Sequence, residues 1–380
     1  MPPILDQILV LDLSRLLPGA IASLMLADMG ADIIKLEDTN LGDYARVMPP
    51  YHQDMGAFFQ VSNRNKRSLS LDLKSDEGLS IFYRLIQKVD VLIESFRPGV
   101  MARLGCSYES LCTYKPDLIM ASLSGWGQTG PYAELSGHDL NYVAENAVLG
   151  LTPTLHTPGT QSADVAGAYA AVSAINAALF QRERTGQGAY IDCSLAESAI
   201  PLALYGWVEA HFIPPHTAGA LNGGLAYYHV YQSKDGQTLA LAALEEKFWA
   251  NFCQAIQQPD WLPLHQDLSA QADLKSKLEQ LFLSRTAEAW QALLSPADCC
   301  FSVVTEPLAL NEHPHFQNRD IIGVEQGLPW IHLAATLNPK IQHTPAPTQG
   351  QHSREILTDL GFTPLEIDQF IHAGTLKTSE

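Results

Sequence analysis

The sequence is poor in charged residues, and poorest in basic ones. Only 17% of its 380 residues are charged, and 41 acidic residues face 23 basic ones, which gives a net charge of −18. A chain this acidic repels nucleic acid and anionic membrane surfaces, so we expect neither as a partner. Its 46% hydrophobic content supports a large core, and its length exceeds what one core usually organises, so we expect two domains.

Several common motifs are also missing. The six cysteines include no CxxC pair, so we expect free thiols and no metal site. The turn after the first predicted strand lacks GxGxxG, which argues against a dinucleotide and hence a redox cofactor. The N-terminus has no basic segment before an apolar one, and the C-terminus is not a Ser-Lys-Leu address, so we expect the cytoplasm.

What the first half of the chain does contain is an alternation of short apolar runs and helical segments. The runs at 8–13, 31–36, 68–73, 91–94, 117–123 and 190–194 predict strands, and 76–88 and 163–184 predict helices. This alternation predicts an α/β fold with a Rossmann-like, doubly wound sheet. After a linker at 201–224, hairpin-like runs at 227–231 and 238–244 precede helical segments, which predicts a smaller α+β domain.

The glycine-rich stretch 125–137 leads directly to His138 and Asp139. Loops at the carboxyl ends of parallel strands carry ligand sites, so His138 is a candidate catalytic residue. A lone histidine there is also compatible with a structural or surface role. Asp139 could orient the imidazole or cap a turn.

Two further acids and the basic runs each allow a structural and a functional interpretation. Asp164 opens the long predicted helix, where it fits a cap, but first-turn N–H groups there could also hold an enolate oxygen. Glu245 lies where a strand meets a helix and fits a first-turn acid. The run 63–67, with Arg97 and Arg103, fits either a solvated face or a phosphate site.

Five segments now become recognisable by their order: 30–37 (GADIIKLE), 65–74 (NKRSLSLDLK), 96–99 (FRPG), 125–131 (GWGQTGP) and 350–352 (GQH). Together they resemble the class III CoA-transferase superfamily over essentially the whole chain. Within it, 137–142 (GHDLNY) and 222–228 (NGGLAYY) resemble the α-methylacyl-CoA racemase branch. The Gly-Gly-Gly-Gln loop of formyl-CoA transferases is absent from the sequence.

The resemblance implies an interlocked homodimer acting on an acyl-CoA thioester, with coenzyme A as part of the substrate. Each chain would have a large CoA-binding domain at 1–200, completed by 325–380, and a small domain at 225–324. The matching catalytic residues are His138, Asp164 and Glu245. The implied CoA contacts are Leu71, Asp72, Leu73, Lys74, Ser95, Phe96, Arg97, Arg103, Gly137, Asp139, Leu140, Asn141 and Tyr142. At Asp38 the racemases carry a phosphate-binding arginine, so Lys35 or the run 64–67 would have to replace it.

The resemblance favours 1,1-proton transfer at the α-carbon of a 2-methylacyl-CoA. One of His138 and Asp164 would remove the α-proton, and the other would reprotonate the planar enolate from the opposite face. For this the pKa of Asp164 has to rise by about 3 units to hold a proton near pH 7. Burial would raise it and the helix dipole would lower it. The alternatives are a CoA-transferase with Asp164 as nucleophile and a silent acyl-CoA-binding protein.

Overall fold

The computed structural model describes residues 2–151, 156–214, 218–333 and 342–379. Its strands are β1 Leu9–Asp12, β2 Asp32–Glu37, β3 Tyr51–His52, β4 Met55–Gly56, β5 Lys66–Leu71, β6 Val91–Glu94, β7 Ile119–Ser124, β8 Ala189–Ser194, β9 Tyr228–Gln232, β10 Thr238–Ala242, β11 Phe301–Val303, β12 Ile322–Glu325, β13 Leu328–Ile331 and β14 Leu376–Lys377. Its α-helices are α1 Leu16–Asp28, α2 Ala57–Ser62, α3 Asp76–Ile86, α4 Val100–Arg103, α5 Tyr108–Cys112, α6 Asp139–Glu145, α7 Ser162–Thr185, α8 Leu195–Ser198, α9 Leu204–Glu209, α10 Glu246–Ala255, α11 Gln271–Phe282, α12 Ala287–Leu294, α13 Pro314–Asn318, α14 Ser353–Asp359 and α15 Pro364–His372.

The chain forms two compact units. Unit 1 comprises Met1–Asn146, Pro158–Ile200 and Pro314–Glu380, and unit 2 comprises Ala147–Thr157 and Pro201–His313. The division differs from the expected one in three places: Ala147–Thr157 belongs to unit 2, residues 314–324 belong to unit 1, and the third difference is the expected linker at 201–224. Outside residues 215–217, which are not described, this stretch contains α9 and short 3₁₀ turns and belongs to unit 2. Its glycines suggested a linker, but the N–H of Gly224 donates to the Gly219 carbonyl at 2.8 Å and closes a compact turn.

Unit 1 is built on a seven-stranded sheet in the order β14-β5-β2-β1-β6-β7-β8. The six strands from β5 to β8 are parallel, and β14 pairs antiparallel with β5 at the edge. From β1 the chain first adds β2 and β5 on one side of the sheet, and it then adds β6, β7 and β8 on the other side. This is the Rossmann-type order, which confirms the predicted fold class and places a switch point between β1 and β6.

Alternate strand residues fill two separate cores, one on each face of this sheet. One core joins Leu11, Ile34 and Leu92 to α3, α14 and α15, and the other joins Val10 and Ile33 to α1 and α7. Because both faces are covered, the central strands β1 and β6 are continuous apolar runs up to a terminal acid, and this is why their sequences predicted them well.

Helix α7 is the longest helix of the described residues and lies in the second core. Ala168, Ala171 and Ile175 are buried there, and Gly186 ends the helix in the left-handed conformation at φ 71°. A side chain at Gly167 would place its Cβ 2.2 Å from Leu195, so the close packing of α8 requires glycine. The helix is long and apolar enough to cross a membrane by length and composition, yet these residues serve as protein core.

Unit 2 has an antiparallel sheet in the order β11-β10-β9. Its core is aromatic, with Trp249 of α10, Phe282 of α11 and Trp290 of α12 all buried beside the strands. Both Trp indole N–H groups donate to backbone carbonyls, at 3.0 Å and 2.9 Å. The unit is therefore α+β, as the sequence predicts.

Candidate active site

A cavity of about 430 Å³ lies at the switch point of the unit 1 sheet. The segments that follow β1, β6 and β7 line it with Arg15, Ser95, Phe96, Arg97 and Trp126. Segments that follow adjacent parallel strands meet at the carboxyl edge of the sheet, where a switch point leaves a crevice. The cavity therefore lies at the position where this topology places a ligand.

His138 and Asp164 line this one cavity from different helices. His138 is the exposed N-cap of α6, and its backbone N–H donates to the Asn141 side chain at 3.1 Å. Asp164 lies half-buried in the first turn of α7. The structure thus brings together the two residues that the sequence singled out for proton transfer.

The buried carboxylate of Asp139 connects the two helix starts. One of its oxygens, Oδ1, accepts the backbone N–H groups of Ala163 at 2.7 Å and of Asp164 at 3.1 Å. Asp139 directly follows His138 in the chain and begins α6, but its side chain caps α7. The N–H groups of Ala163 and Asp164 are therefore not available to an enolate oxygen, because Asp139 already occupies them.

The environment of Asp164 makes its carboxyl group a weaker acid than an ordinary aspartate. Burial is the largest influence and, with the negative charge of Asp139, raises its pKa from the ordinary aspartate value to about 6, while His138 acts in the opposite direction. A carboxyl group with this pKa can give or take a proton near neutral pH.

Tyr142 forms the wall between the glycine-rich loop and α6. Its hydroxyl donates to the Gly137 carbonyl at 2.6 Å, and its ring meets Trp126 edge-on at 5.0 Å. A Cβ at Gly125 would lie 2.3 Å from the Tyr142 hydroxyl, and one at Gly137 would lie 2.7 Å from its ring. The glycines of the loop therefore make room for this tyrosine.

A second cavity of about 290 Å³ lies on the other side of Arg15 and Phe96, which line both cavities. Leu71, Asp72, Leu73 and Lys74, which end β5 and follow it, contribute one wall. Glu37 and Asp43 also line the second cavity, but their charges are compensated, because Glu37 pairs with Arg46 and Asp43 pairs with Lys35.

The predicted CoA contacts divide between the two cavities. The group 71–74 and Phe96 line the second, whereas Ser95, Phe96, Arg97, Gly137, Asn141 and Tyr142 line the first. Among the described residues, the linings of these two cavities do not include Asp139, Leu140 or Arg103. Asp139 caps α7, Leu140 is exposed, and Arg103 lies beside Gly99, so their contact with CoA stays a prediction.

The basic run 63–67 is neither a solvated face nor a phosphate site. Arg64 is buried and binds Asp28 through two hydrogen bonds of 2.6 Å and 2.8 Å, and Lys66 is buried beside Asp12 at 3.3 Å. Arg67 pairs with Asp32. Buried cations require carboxylate partners, so these side chains have no free charge to offer a phosphate.

Lys35 is equally unable to replace the arginine that the racemases carry at position 38. It is fully buried, with its Nζ 2.9 Å from Asp43 and donating to the Ser14 carbonyl at 2.8 Å. The partner of Asp38 is Arg15, at 3.2 Å, a residue that the sequence analysis missed. Arg15 could have been recognised as a candidate from its position shortly after β1, because the carboxyl ends of parallel strands carry ligand sites.

Glu245 belongs to unit 2. It is the exposed N-cap of α10, and its carbonyl, not its carboxylate, accepts the N–H groups of Phe248 and Trp249. Its catalytic role stays a prediction.

A sequence model of CoA-transferase family III matches residues 5–353 of the chain. The chain belongs to this family. It is 32% identical to the human alpha-methylacyl-CoA racemase over 99% of both proteins. It is also 34% identical to acetyl-CoA:oxalate CoA-transferase of Acetobacter aceti, over 77% of this chain and 78% of that protein. Among solved structures, a CAIB/BAIF family protein from Brucella suis matches with a TM-score of 0.83 and 26% identity, over 95% of this chain and 100% of the other.

The comparisons fix the enzyme group but not the reaction within it. Racemase and transferase relatives are similarly close, so the chain is an enzyme of the family III CoA-transferase and racemase group that acts on acyl-CoA thioesters.

Proposed function

We propose that this protein is a 2-methylacyl-CoA epimerase that works by 1,1-proton transfer. The observation that carries the proposal is that His138 and Asp164 line one cavity from two different helices, with the pKa of Asp164 raised to about 6. A racemase needs two acid–base groups because the planar intermediate has to be reprotonated on the face opposite to the one that lost its proton.

In one direction the Asp164 carboxylate removes the α-proton, the electron pair moves into the thioester carbonyl, and the His138 imidazolium protonates the opposite face of the enolate. The other epimer is processed with the roles reversed. With a pKa of about 6, about one Asp164 in ten is protonated at pH 7, so both forms are accessible at little cost. In the same proposal, coenzyme A enters as part of the substrate, without a metal or redox cofactor.

A homodimer is part of the proposal. Unit 2 exposes large apolar side chains on and near α9, at Leu202, Leu204, Tyr205, Trp207, Val208 and Phe212. Single exposed hydrophobic residues are ordinary, but this many within one short stretch favours a protein partner. A second copy of the chain is the partner that the family resemblance implies.

The direct experiment incubates the protein with one epimer of a 2-methylacyl-CoA in deuterated water. We expect loss of optical purity together with one deuterium at the α-carbon. His138→Ala and Asp164→Ala should each abolish both signals while retaining CoA affinity. Asp76→Ala is the matched control, since Asp76 is also a first-turn acid of unit 1 but belongs to α3. Absence of exchange across varied acyl chains would refute the epimerase.

A second candidate is CoA transfer, favoured by the 34% identity to the Acetobacter transferase. Here the Asp164 carboxylate attacks the donor thioester carbonyl and forms a mixed anhydride as the CoA thiolate leaves. The thiolate then attacks the aspartyl carbonyl of the anhydride, which gives an aspartyl-CoA thioester and releases the donor acid as its carboxylate. Hydroxylamine would trap that intermediate on Asp164. A CoA-sized mass increase at Asp164, with full activity in His138→Ala, would select the transferase.

A further inference from the structure

Arg15 is placed at the junction of the two cavities of unit 1. Of the residues that the structure describes, Arg15 and Phe96 alone contribute to the linings of both, so a ligand that occupies both cavities has to pass this pair. The guanidinium carbon lies 4.8 Å from the centre of the Tyr44 ring and 5.7 Å from that of Phe96. Stacking on two aromatic rings restricts its orientation.

Two hydrogen bonds orient the Arg15 guanidinium further, and they use only part of its N–H donors. One terminal nitrogen donates to the Tyr44 hydroxyl at 2.8 Å and the other to Asp38 at 3.2 Å. A guanidinium has five N–H donors, and the acceptors found among the described residues use two of them, which leaves three. The side chain is about one-third exposed, so a ligand can reach it.

Asp38 is itself held in place and serves as the anchor of this arrangement. Its other carboxylate oxygen accepts the N–H of Asn40 at 2.9 Å and of Gly42 at 3.3 Å. Its carbonyl accepts the Gln349 amide at 2.7 Å and the Ser70 hydroxyl at 3.0 Å. The acid at this position therefore positions Arg15.

We infer that Arg15 binds the diphosphate of a nucleotide–pantetheine thioester. This rests on the proposed function, in which the acyl group reaches His138 and Asp164 in the first cavity. The nucleoside would then lie in the second cavity, beside Leu71 and Lys74, and the part of the molecule between them is the diphosphate. A planar guanidinium with donors to spare suits two adjoining phosphates better than an ammonium does.

The test measures the affinity of the full-length protein for three ligands by calorimetry: CoA, 3′-dephospho-CoA and pantetheine. Arg15→Gln should weaken CoA and 3′-dephospho-CoA equally, by about tenfold to a hundredfold, and leave pantetheine unchanged. Arg15→Lys should recover part of the loss. Arg184→Gln is the matched control, because Arg184 also stacks on an aromatic ring, Phe180 at 5.5 Å, but lines neither cavity of the described residues.

The outcomes separate the inference from the proposed function. If Arg15→Gln weakens CoA but not 3′-dephospho-CoA, Arg15 binds the 3′-phosphate and the inference is overturned. Normal CoA binding by a folded Arg15→Gln protein, as judged by its thermal unfolding, also overturns it while the epimerase proposal stands. If the wild-type protein binds no CoA, both fall.

Discussion

The carboxylate of Asp139 accepts the backbone N–H of Asp164 at 3.1 Å. Asp139 directly follows His138, so the neighbour of one proposed acid–base residue, His138, holds the backbone of the other, Asp164. The same carboxylate places a negative charge near the Asp164 side chain and raises its pKa. One buried acid therefore holds the backbone of Asp164 and adds to the rise in its pKa that burial causes.

This relationship predicts an altered pH profile for Asp139→Asn. Asparagine keeps an oxygen for both N–H groups but removes the charge, so the pKa of Asp164 should fall. In the direction in which Asp164 acts as base, kcat/KM should rise with pH around a midpoint of about 6 in the wild type and around a lower pH in the variant. Asp76→Asn should leave the midpoint unchanged. An unshifted midpoint in Asp139→Asn would show that Asp139 acts on Asp164 only through the backbone.

The packing of Tyr142 predicts that Gly125→Ala impairs catalysis. The new methyl group would meet the Tyr142 hydroxyl at 2.3 Å, so the ring and the cavity wall have to move. Displacement of about 1 Å at such a site costs about a hundredfold in kcat/KM. Gly159→Ala is the control, because no heavy atom lies within 4 Å of a Cβ built there. Equal activity of the two variants would contradict this role for the loop.

The buried ion pair between Arg46 and Glu37 predicts a large loss of stability in Arg46→Leu. The pair has two hydrogen bonds of 2.7 Å, and Arg46 also lies 3.9 Å from the centre of the Phe59 ring. Removal of one partner leaves the other charge buried, which costs about 3–5 kcal/mol in the free energy of unfolding. Arg354→Leu removes an exposed pair of the same unit, with Asp368 at 2.7 Å, and should cost about 1 kcal/mol or less. Urea unfolding followed by circular dichroism compares them.

The raised pKa of the buried Glu94 carboxyl predicts that the free energy of unfolding depends on pH. Burial raises its pKa to about 7 in spite of a hydrogen bond of 2.7 Å from the Phe96 backbone N–H. The pKa of Glu94 is higher in the folded state than in the unfolded state, where it is 4.5. Its contribution to the stability of the folded state is therefore fully present below pH 4.5 and is lost as the pH rises through about 7. Glu94→Gln should therefore gain stability over the wild type between pH 5 and pH 8, by up to about 3 kcal/mol.

Thermal unfolding of both proteins across this pH range measures the gain. Glu183→Gln, at an exposed position on α7, provides the baseline. A constant difference between Glu94→Gln and wild type at every pH would rule out titration of Glu94 as the cause.

Continuous apolar runs made the central strands readable from sequence. The expected strand Val91–Glu94 has the observed bounds, and the other strands of the sheet core agree to within a few residues. The edge strand β14 was not predicted, because two residues carry no periodic pattern and the pairing of Leu376 with Leu71 joins distant parts of the chain. Local pattern shows what is buried, but not what lies beside it.

The candidate site shows the same limit. His138 and Asp164 stood out by residue type and by resemblance, and the structure brings them to one cavity. The partners of Asp139 and Asp38 did not stand out, since they are backbone groups and an arginine more than 20 residues away. The density of basic residues also misled about Arg64 and Lys66, because their acidic partners Asp28 and Asp12 lie 36 and 54 residues earlier in the chain.

The position of β14 bears on the order in which the protein folds. Unit 2 is inserted within unit 1, and unit 1 is closed by a strand at residues 376–377 that lies against Ser70 and Leu71. During synthesis, every strand of unit 2 is made before β14 can pair with β5 at the edge of the unit 1 sheet. Leu71 also lines the second cavity, so that wall is completed by a strand that is synthesised after every strand of unit 2.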